Sequence, residues 1–185
     1  RGVPQGDVKK VGKSKETGTK TCFMADHEVF TKVEFKFDVL ASRMRELAFL
    51  NKGLRLILTD HRIDKKLEFH YKGGLAAFVE YLNENKNVLY NKPIYFQREK
   101  DGTDVEIAIQ YNDGYVENLF SYVNNINTIE GGTHLTGFRT ALTRSVNNYI
   151  AKAGLLKNGE VAIAGEDSRE GLTAVISVKV PDPQF

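Results

Sequence analysis

The chain has 185 residues, of which 41% are hydrophobic and 27% are charged, a composition typical of a soluble globular protein. This length allows one or two domains with a buried core. No long apolar run is present, so a membrane span is not expected. The 26 Lys and Arg residues against 24 Asp and Glu residues give a net charge of +2. That charge is too small for a domain that coats nucleic acid, so any DNA contact must come from a local basic patch.

Residue types that carry chemistry are sparse and scattered. Cys22 is the only cysteine, which excludes an internal disulfide and is typical of a reducing cytosol. The four histidines lack the spacing of a zinc site, and no serine lies in a G-x-S-x-G context. We therefore predict a cytoplasmic protein in which this chain holds no metal ligand and no nucleophilic catalytic residue.

The first part of the chain is predicted to contain a strand, a helix and two further strands. After a stretch rich in Lys and Gly, residues 19–24 have the character of a strand. Asp38 is a good N-cap for a helix over about 39–51, whose apolar residues recur at helical spacing. Gly53 supplies the left-handed residue just past its end. Two strands are predicted next, at 54–59 and 66–71.

The second part of the chain is rich in strands and contains the longest predicted helix. The run Lys72-Gly73-Gly74 is the best domain boundary, and a short helix follows it. Thr133 is predicted as the N-cap of a helix that runs to about Lys152, with Gly154 as its stop. Further strands are predicted at 94–98, 105–111, 117–124 and 173–180. Strands grouped before a long helix, with one strand returning, indicate an α+β or split β-α-β arrangement.

Two segments could bind a charged ligand. The run Gly131-Gly132-Thr133 could present backbone N–H groups to an anion, although a tight helix entry is the favoured interpretation. The charged run at 166–171 could be a carboxylate site, a hinge of ion pairs or a solvated loop. Ion-paired or solvated structure is favoured there, because a metal site needs more ligands than the run supplies.

The long helix carries one functional signal. A polar stripe is formed by residues that recur every four positions, namely Arg139, Thr143 and Asn147. Beside it runs an apolar stripe, which is predicted to be buried and which includes Tyr149. The polar stripe could face solvent, a partner protein or a DNA backbone, and solvent is the default. The residues by themselves thus indicate an α+β module without a self-contained active site.

Several separated motifs resemble the B subunits of DNA gyrase and topoisomerase IV, and the gyrase form is favoured. The most characteristic is the run Gly-Gly-Thr-His-Leu-Thr-Gly-Phe-Arg at 131–139. The other matching segments occur in the family's order, at 1–5, 17–19, 45–51, 71–82, 166–172 and 177–185. The resemblance therefore covers nearly the whole chain. It is weaker for GHKL-type mismatch-repair ATPases, which should lack the runs at 131–134 and 181–185.

The resemblance implies two domains. Residues 1–72 look like the C-terminal portion of a GHKL-type ATPase α/β sandwich. Residues 73–185 look like an incomplete transducer domain with a ribosomal-S5-domain-2-like fold. In the family, ATP binding with Mg²⁺ dimerises two B subunits around a DNA segment, and the transducer passes this event to the DNA-cleaving core formed with the A subunit. The implied partners are a second B subunit, the gyrase A subunit and double-stranded DNA, without a membrane. A non-catalytic interaction module of the same fold is the alternative.

The resemblance also assigns roles to individual residues. The family's general base, Mg²⁺ ligand and glycine-rich ATP lid should lie upstream of Arg1, and its Gln-Thr-Lys loop should follow Phe185. We therefore expect no catalytic residue in this chain, which alone should be inert. Gly18 and Thr19 are the implied nucleotide-binding residues. The resemblance places Arg139 in the DNA cavity of the closed dimer, and Thr143 and Arg144 are the neighbouring DNA-contacting candidates.

Overall fold

The computed structural model describes residues 3–155 and 162–184, which form two units that divide after Phe35. The helices are α1 (Phe37–Leu50), α2 (Gly74–Leu82) and α3 (Thr133–Ala153), with a short 3₁₀ turn, η1, at Asp167–Arg169. The strands are β1 (Arg55–Asp60), β2 (Lys65–His70), β3 (Ile94–Lys100), β4 (Thr103–Tyr111), β5 (Asn118–Val123), β6 (Ile126–Asn127) and β7 (Leu172–Lys179). No helix within the described residues is long and apolar enough to cross a membrane.

The first unit has neither helix nor strand in residues 3–35. Its local order comes from a turn in which the amide N–H groups of Val29 and Phe30 donate to the carbonyl of Asp26. The strand predicted at 19–24 is therefore wrong. Phe23 and Met24 are 76% and 86% exposed, and no strand of the described chain pairs with this segment. A single extended segment without a partner strand lacks the hydrogen bonds that would hold it as a strand.

The second unit is built on a five-stranded sheet in the order β3-β4-β7-β5-β6. All neighbours are antiparallel except β5 and β7, which are parallel and are connected through α3. The predicted returning strand is β7, which inserts between β4 and β5. It is buried along almost its entire length because helices cover both faces of the sheet. The predicted α+β class is confirmed. The alternative of a split β-α-β unit is wrong, because the parallel strands β5 and β7 are direct neighbours with no strand between them.

One face of the sheet packs against α1 and α2. Phe49 of α1 and Phe78 of α2 stack with their ring centroids 4.8 Å apart, and both lie in one core cluster with Ala108, Tyr122 and Val175 of the sheet. The antiparallel pair β1-β2 forms a separate small sheet, which packs on the other side of α1 through Phe69. Because α1 and α2 share a core, the domain division after residue 72 stays a prediction.

The opposite face of the sheet packs against α3. Strand alternation sends Ile107 and Ile109 of β4, with Ala174 and Ile176 of β7, to this side, where they meet Phe138. Leu135 and Leu142 join this cluster from α3 as half-buried side chains. The predicted burial of Tyr149 is wrong, since its side chain is 68% exposed. The helical period placed Tyr149 near the stripe, but its neighbour Ile150 takes the buried position at this end of α3.

The predicted helix caps are partly wrong. Asp38 lies in the first turn of α1, where its carboxylate is 3.5 Å from Lys65 Nζ, and Lys36 occupies the N-cap position. Thr133 is the first helical residue of α3, because Gly132 takes the N-cap at a φ of 144°. In both cases the helix begins earlier than the side-chain preference suggests. The left-handed conformation predicted for Gly53 is confirmed, with a φ of 81°. Gly154, the predicted stop of α3, is its C-cap and is also left-handed, with a φ of 63°.

Candidate nucleic-acid interface on helix α3

Helix α3 is basic, and its two arginines, five residues apart, project from different sides of it. Its 21 residues include no Asp or Glu, whereas Arg139, Arg144 and Lys152 are cationic. Arg144 is exposed and borders a shallow depression of about 670 Å³. The rest of that depression is formed by small or hydroxyl-bearing residues, namely Gly132, Thr133, Thr136, Gly137, Thr140 and Ala141. A surface without carboxylates, bordered by a guanidinium, attracts anions and allows a polyanion to approach the helix closely.

Arg139 is half exposed and forms part of an ion-pair cluster. Its Nε donates a hydrogen bond of 3.0 Å to Glu117 Oε1. Arg169 Nε lies 3.0 Å from the same oxygen. The second contact lacks hydrogen-bond alignment, so the buried Arg169 Nε has an ion-pair partner but no hydrogen-bond acceptor. One carboxylate thus pairs with two guanidinium groups, so these three side chains together carry a net positive charge, while the exposed Glu166, Asp167 and Glu170 flank Arg169 in the chain.

The polar stripe of α3 holds the segment at 163–168. Thr143 Oγ1 lies 3.0 Å from Ser168 Oγ and donates to the carbonyl of Arg139. The side-chain amide of Asn147 makes two bonds of 2.9 Å to the backbone N–H and carbonyl of Ile163. The default interpretation of this stripe as a solvated face is therefore wrong. Its hydroxyl and amide groups bind the chain's own backbone and side chains, and the DNA contact assigned to Thr143 stays a prediction.

The charged run at 166–171 agrees with the ion-paired or solvated structure favoured from the sequence. Arg169 is ion-paired with Glu117, and the acidic residues Glu166, Asp167 and Glu170 are exposed. Ser168 is buried, and its hydroxyl donates to the carbonyl of Gly165. Tyr111 donates a 2.6 Å hydrogen bond to the carbonyl of Ser168, and burial raises the pKa of this tyrosine. Sequence reasoning did not single out Glu117 or Tyr111. The only available signal was an acidic residue at the start of a predicted strand, which is common on solvated surfaces.

The Gly131-Gly132-Thr133 run forms the tight helix entry favoured from the sequence. Both glycines have positive φ, and the second residue of α3, His134, lies 3.1 Å from Thr128 Oγ1 through its Nε2. Thr128 in turn lies 2.7 Å from Ser121 Oγ on β5. Burial lowers the pKa of His134. This chain of polar contacts ties the start of α3 to the sheet, beside a mostly apolar groove of about 1510 Å³ between α3 and the strands.

The predicted nucleotide-binding residues lie in the first unit. Gly18 and Thr19 are exposed, and a Cβ added at Gly18 would meet nothing within 4 Å. In the described residues, no group of three or more His, Cys, Asp or Glu side chains is placed to hold a metal ion. The nucleotide role of Gly18 and Thr19 stays a prediction.

The fold and its basic helix define the class: an α+β module with a cationic helix packed on one face of a five-stranded sheet. The family model for DNA gyrase B matches residues 74–185. The chain belongs to the DNA gyrase B family. The α+β fold is accordingly the end of a GHKL ATPase domain followed by the transducer region, as predicted.

The relatives and solved structures agree with the family model. The DNA gyrase B subunit of Halalkalibacterium halodurans is 55% identical over the whole of this chain, and that of Clostridium acetobutylicum is 56% identical. The chain spans 29% of the length of each of these two relatives. The crystal structure of the 43K ATPase domain of Thermus thermophilus gyrase B, in complex with an aminocoumarin, has a TM-score of 0.77 and 40% identity. That comparison covers 86% of this chain and 44% of the other.

Proposed function

We propose that this chain couples nucleotide binding to DNA passage in the B subunit of an ATP-dependent type II topoisomerase of the gyrase kind. In the complete enzyme, ATP with Mg²⁺ closes two B subunits around a duplex, and the A subunit cleaves the DNA to be crossed. The residues described here transmit that closure and contact the transported duplex. Family membership supports this proposal, together with the resemblance of the separated motifs.

One observation carries the DNA contact. Helix α3 presents Arg139 and Arg144 on a helix that has no acidic residue, and Arg144 borders an open depression of small side chains. Guanidinium groups bind phosphate oxygens regardless of base sequence, and the attraction weakens as salt increases. A transported duplex has to be released, so a few contacts of this kind suit the role better than a large basic surface.

The nucleotide site is a property of the complete enzyme. Gly18 and Thr19 are exposed and lie in a segment without helix or strand, so they do not form an ATP site by themselves. We propose that these two residues complete one side of a pocket whose remaining groups come from the rest of the protein. Positioned groups of that kind are required for attack by water and for charge stabilisation.

The test compares arginine variants of the full-length protein in complex with the gyrase A subunit. Arg139→Ala and Arg144→Ala should each weaken the stimulation of ATPase activity by linear duplex DNA, because each removes one phosphate contact. ATP affinity in the absence of DNA should stay unchanged. Arg98→Ala, on the exposed edge strand β3, is the matched control for loss of a surface cation. If the α3 variants lose ATP affinity to the same extent as DNA stimulation, the arginines support the fold and the proposed DNA contact is refuted.

A further inference from the structure

We infer that Glu117 restrains a phosphate-binding pair formed by Arg139 and Arg169, so that duplex DNA must displace its carboxylate to bind both guanidiniums. This inference rests on the proposed function. It adds Arg169 to the DNA-contacting residues Arg139 and Arg144, and it makes Glu117 the group that limits DNA affinity.

The geometry of the cluster shows an imbalance of charge. Arg139 Nε and Arg169 Nε each lie 3.0 Å from the same oxygen, Glu117 Oε1. Only Arg139 donates an aligned hydrogen bond to it, while Arg169 Nε is left without a hydrogen-bond acceptor. A guanidinium has five N–H donors, so both arginines keep bonding capacity that a single carboxylate oxygen does not use. A phosphate group, with several acceptor oxygens, would use more of it.

The two arginines are positioned by elements other than Glu117. Arg139 projects from α3, and Arg169 ends η1. These two elements are joined by the contact between Thr143 and Ser168 described above. Gly165 leaves room for the Arg169 guanidinium, since a Cβ at that position would lie only 3.1 Å from Nη1. The elements that carry the two arginines are therefore joined without Glu117, which leaves its carboxylate an electrostatic role.

Exposure determines how the cluster could be reached. The Arg139 side chain is 43% exposed and Glu117 is 28% exposed, whereas Arg169 is only 13% exposed. A phosphate approaching from solvent meets Arg139 first and reaches Arg169 only when the Glu117 carboxylate moves aside. Like charges repel, so an approaching phosphate itself favours that movement. The cluster then binds DNA weakly enough to release it.

A purely structural role for Glu117 predicts the opposite behaviour. If Glu117 were needed to hold Arg139 and Arg169 in place, its neutralisation would loosen both side chains and weaken DNA binding. If Glu117 competes with phosphate, its neutralisation strengthens DNA binding. The sign of the effect therefore separates the two roles.

The experiment uses the full-length protein in complex with the gyrase A subunit, and a linear mixed-sequence duplex as the probe. The measured quantity is the duplex concentration that gives half-maximal ATPase stimulation, at increasing KCl concentrations. Glu117→Gln keeps the size of the side chain and removes its charge. We expect that concentration to fall about three- to tenfold at low salt, the gain of roughly one charge-assisted hydrogen bond. The logarithmic salt slope should steepen by about 1, as expected for one additional phosphate contact.

Two further variants control the interpretation. Glu99→Gln makes the same change of charge on the exposed strand β3 and should leave the half-maximal concentration near that of the unmodified enzyme. Glu117→Asp retains a carboxylate and should retain the original salt slope. Arg169→Ala combined with Glu117→Gln should abolish the gain, because Arg169 supplies the added contact.

The outcomes distinguish this inference from the proposed function. A half-maximal concentration that is unchanged or raised by Glu117→Gln, while Arg139→Ala still weakens DNA stimulation, overturns the inference and leaves the proposed function standing. If Arg139→Ala and Arg144→Ala also have no effect, both fail. A gain of equal size in Glu99→Gln would reflect net charge alone and would likewise overturn the role of Glu117.

Discussion

Gly171 is the position at which a single added methyl group should damage the fold most. It lies in the turn between η1 and β7 at a φ of 67°. A Cβ there would lie 2.3 Å from the carbonyl oxygen of Asn112 and 2.6 Å from that of Gly114. Both neighbours are backbone atoms, so no side-chain rotation relieves the overlap. The carbonyl of Gly171 also accepts bonds of 2.9 and 2.8 Å from the backbone N–H and side-chain amide of Asn112.

The expected cost of Gly171→Ala follows from these contacts. The left-handed conformation costs alanine about 1 kcal/mol relative to glycine. Moving the turn that contains Asn112 and Gly114 away from the methyl group breaks the two hydrogen bonds, at about 1 kcal/mol each. We therefore expect the free energy of unfolding to fall by about 3 kcal/mol or more. Chemical denaturation of the purified chain, followed by circular dichroism, measures this change.

Gly137→Ala is the matched control, because it adds the same methyl group where there is room. Gly137 lies inside α3, and a Cβ there meets nothing within 4 Å. Alanine is favoured over glycine in a helix interior, so this variant should be stabilised by about 0.5–1 kcal/mol. If Gly171→Ala unfolds within about 1 kcal/mol of the unmodified chain, well below the cost worked out above, the close approach of the turn to Gly171 is refuted.

Two further predictions concern pH and catalysis. Burial lowers the pKa of His134 below its ordinary value of 6.5, so its folded state resists protonation. The neutral His134 therefore contributes its full stability above pH 6.5, and this contribution is lost as the pH falls below 6.5. His134→Gln should accordingly lose less stability on acidification in the same denaturation assay. An equal pH response in the variant would contradict this reasoning. The purified chain should show no ATPase activity above background, because its two predicted nucleotide-binding residues, Gly18 and Thr19, carry no group suited to act as a general base; turnover that persists after repeated purification would refute that claim.

The sequence determined the local structure of the second unit closely. Hydrophobic period and turn residues predicted α2, α3 and four of the five strands of the large sheet, with most ends placed to within one or two residues. Signals of this kind depend on neighbouring residues, which is why they can be found without the tertiary structure. Asp101 and Gly102 both adopt positive φ at the turn between β3 and β4, as expected for an Asp-Gly hairpin. The short strand β6 was missed because two residues carry too little periodicity.

The sequence by itself also determined the family, because separated motifs such as the run at 131–139 occur together in one order. The tertiary structure decided which polar groups meet. Glu117, Arg139 and Arg169 are far apart in the chain. Only the parallel pairing of β5 with β7, which are connected through α3, brings both arginines to one carboxylate oxygen of Glu117. For the same reason the stripe containing Thr143 looked solvated in the sequence, although its partner Ser168 lies 25 residues away. Helical period shows which residues share a face, and only the fold shows what that face meets.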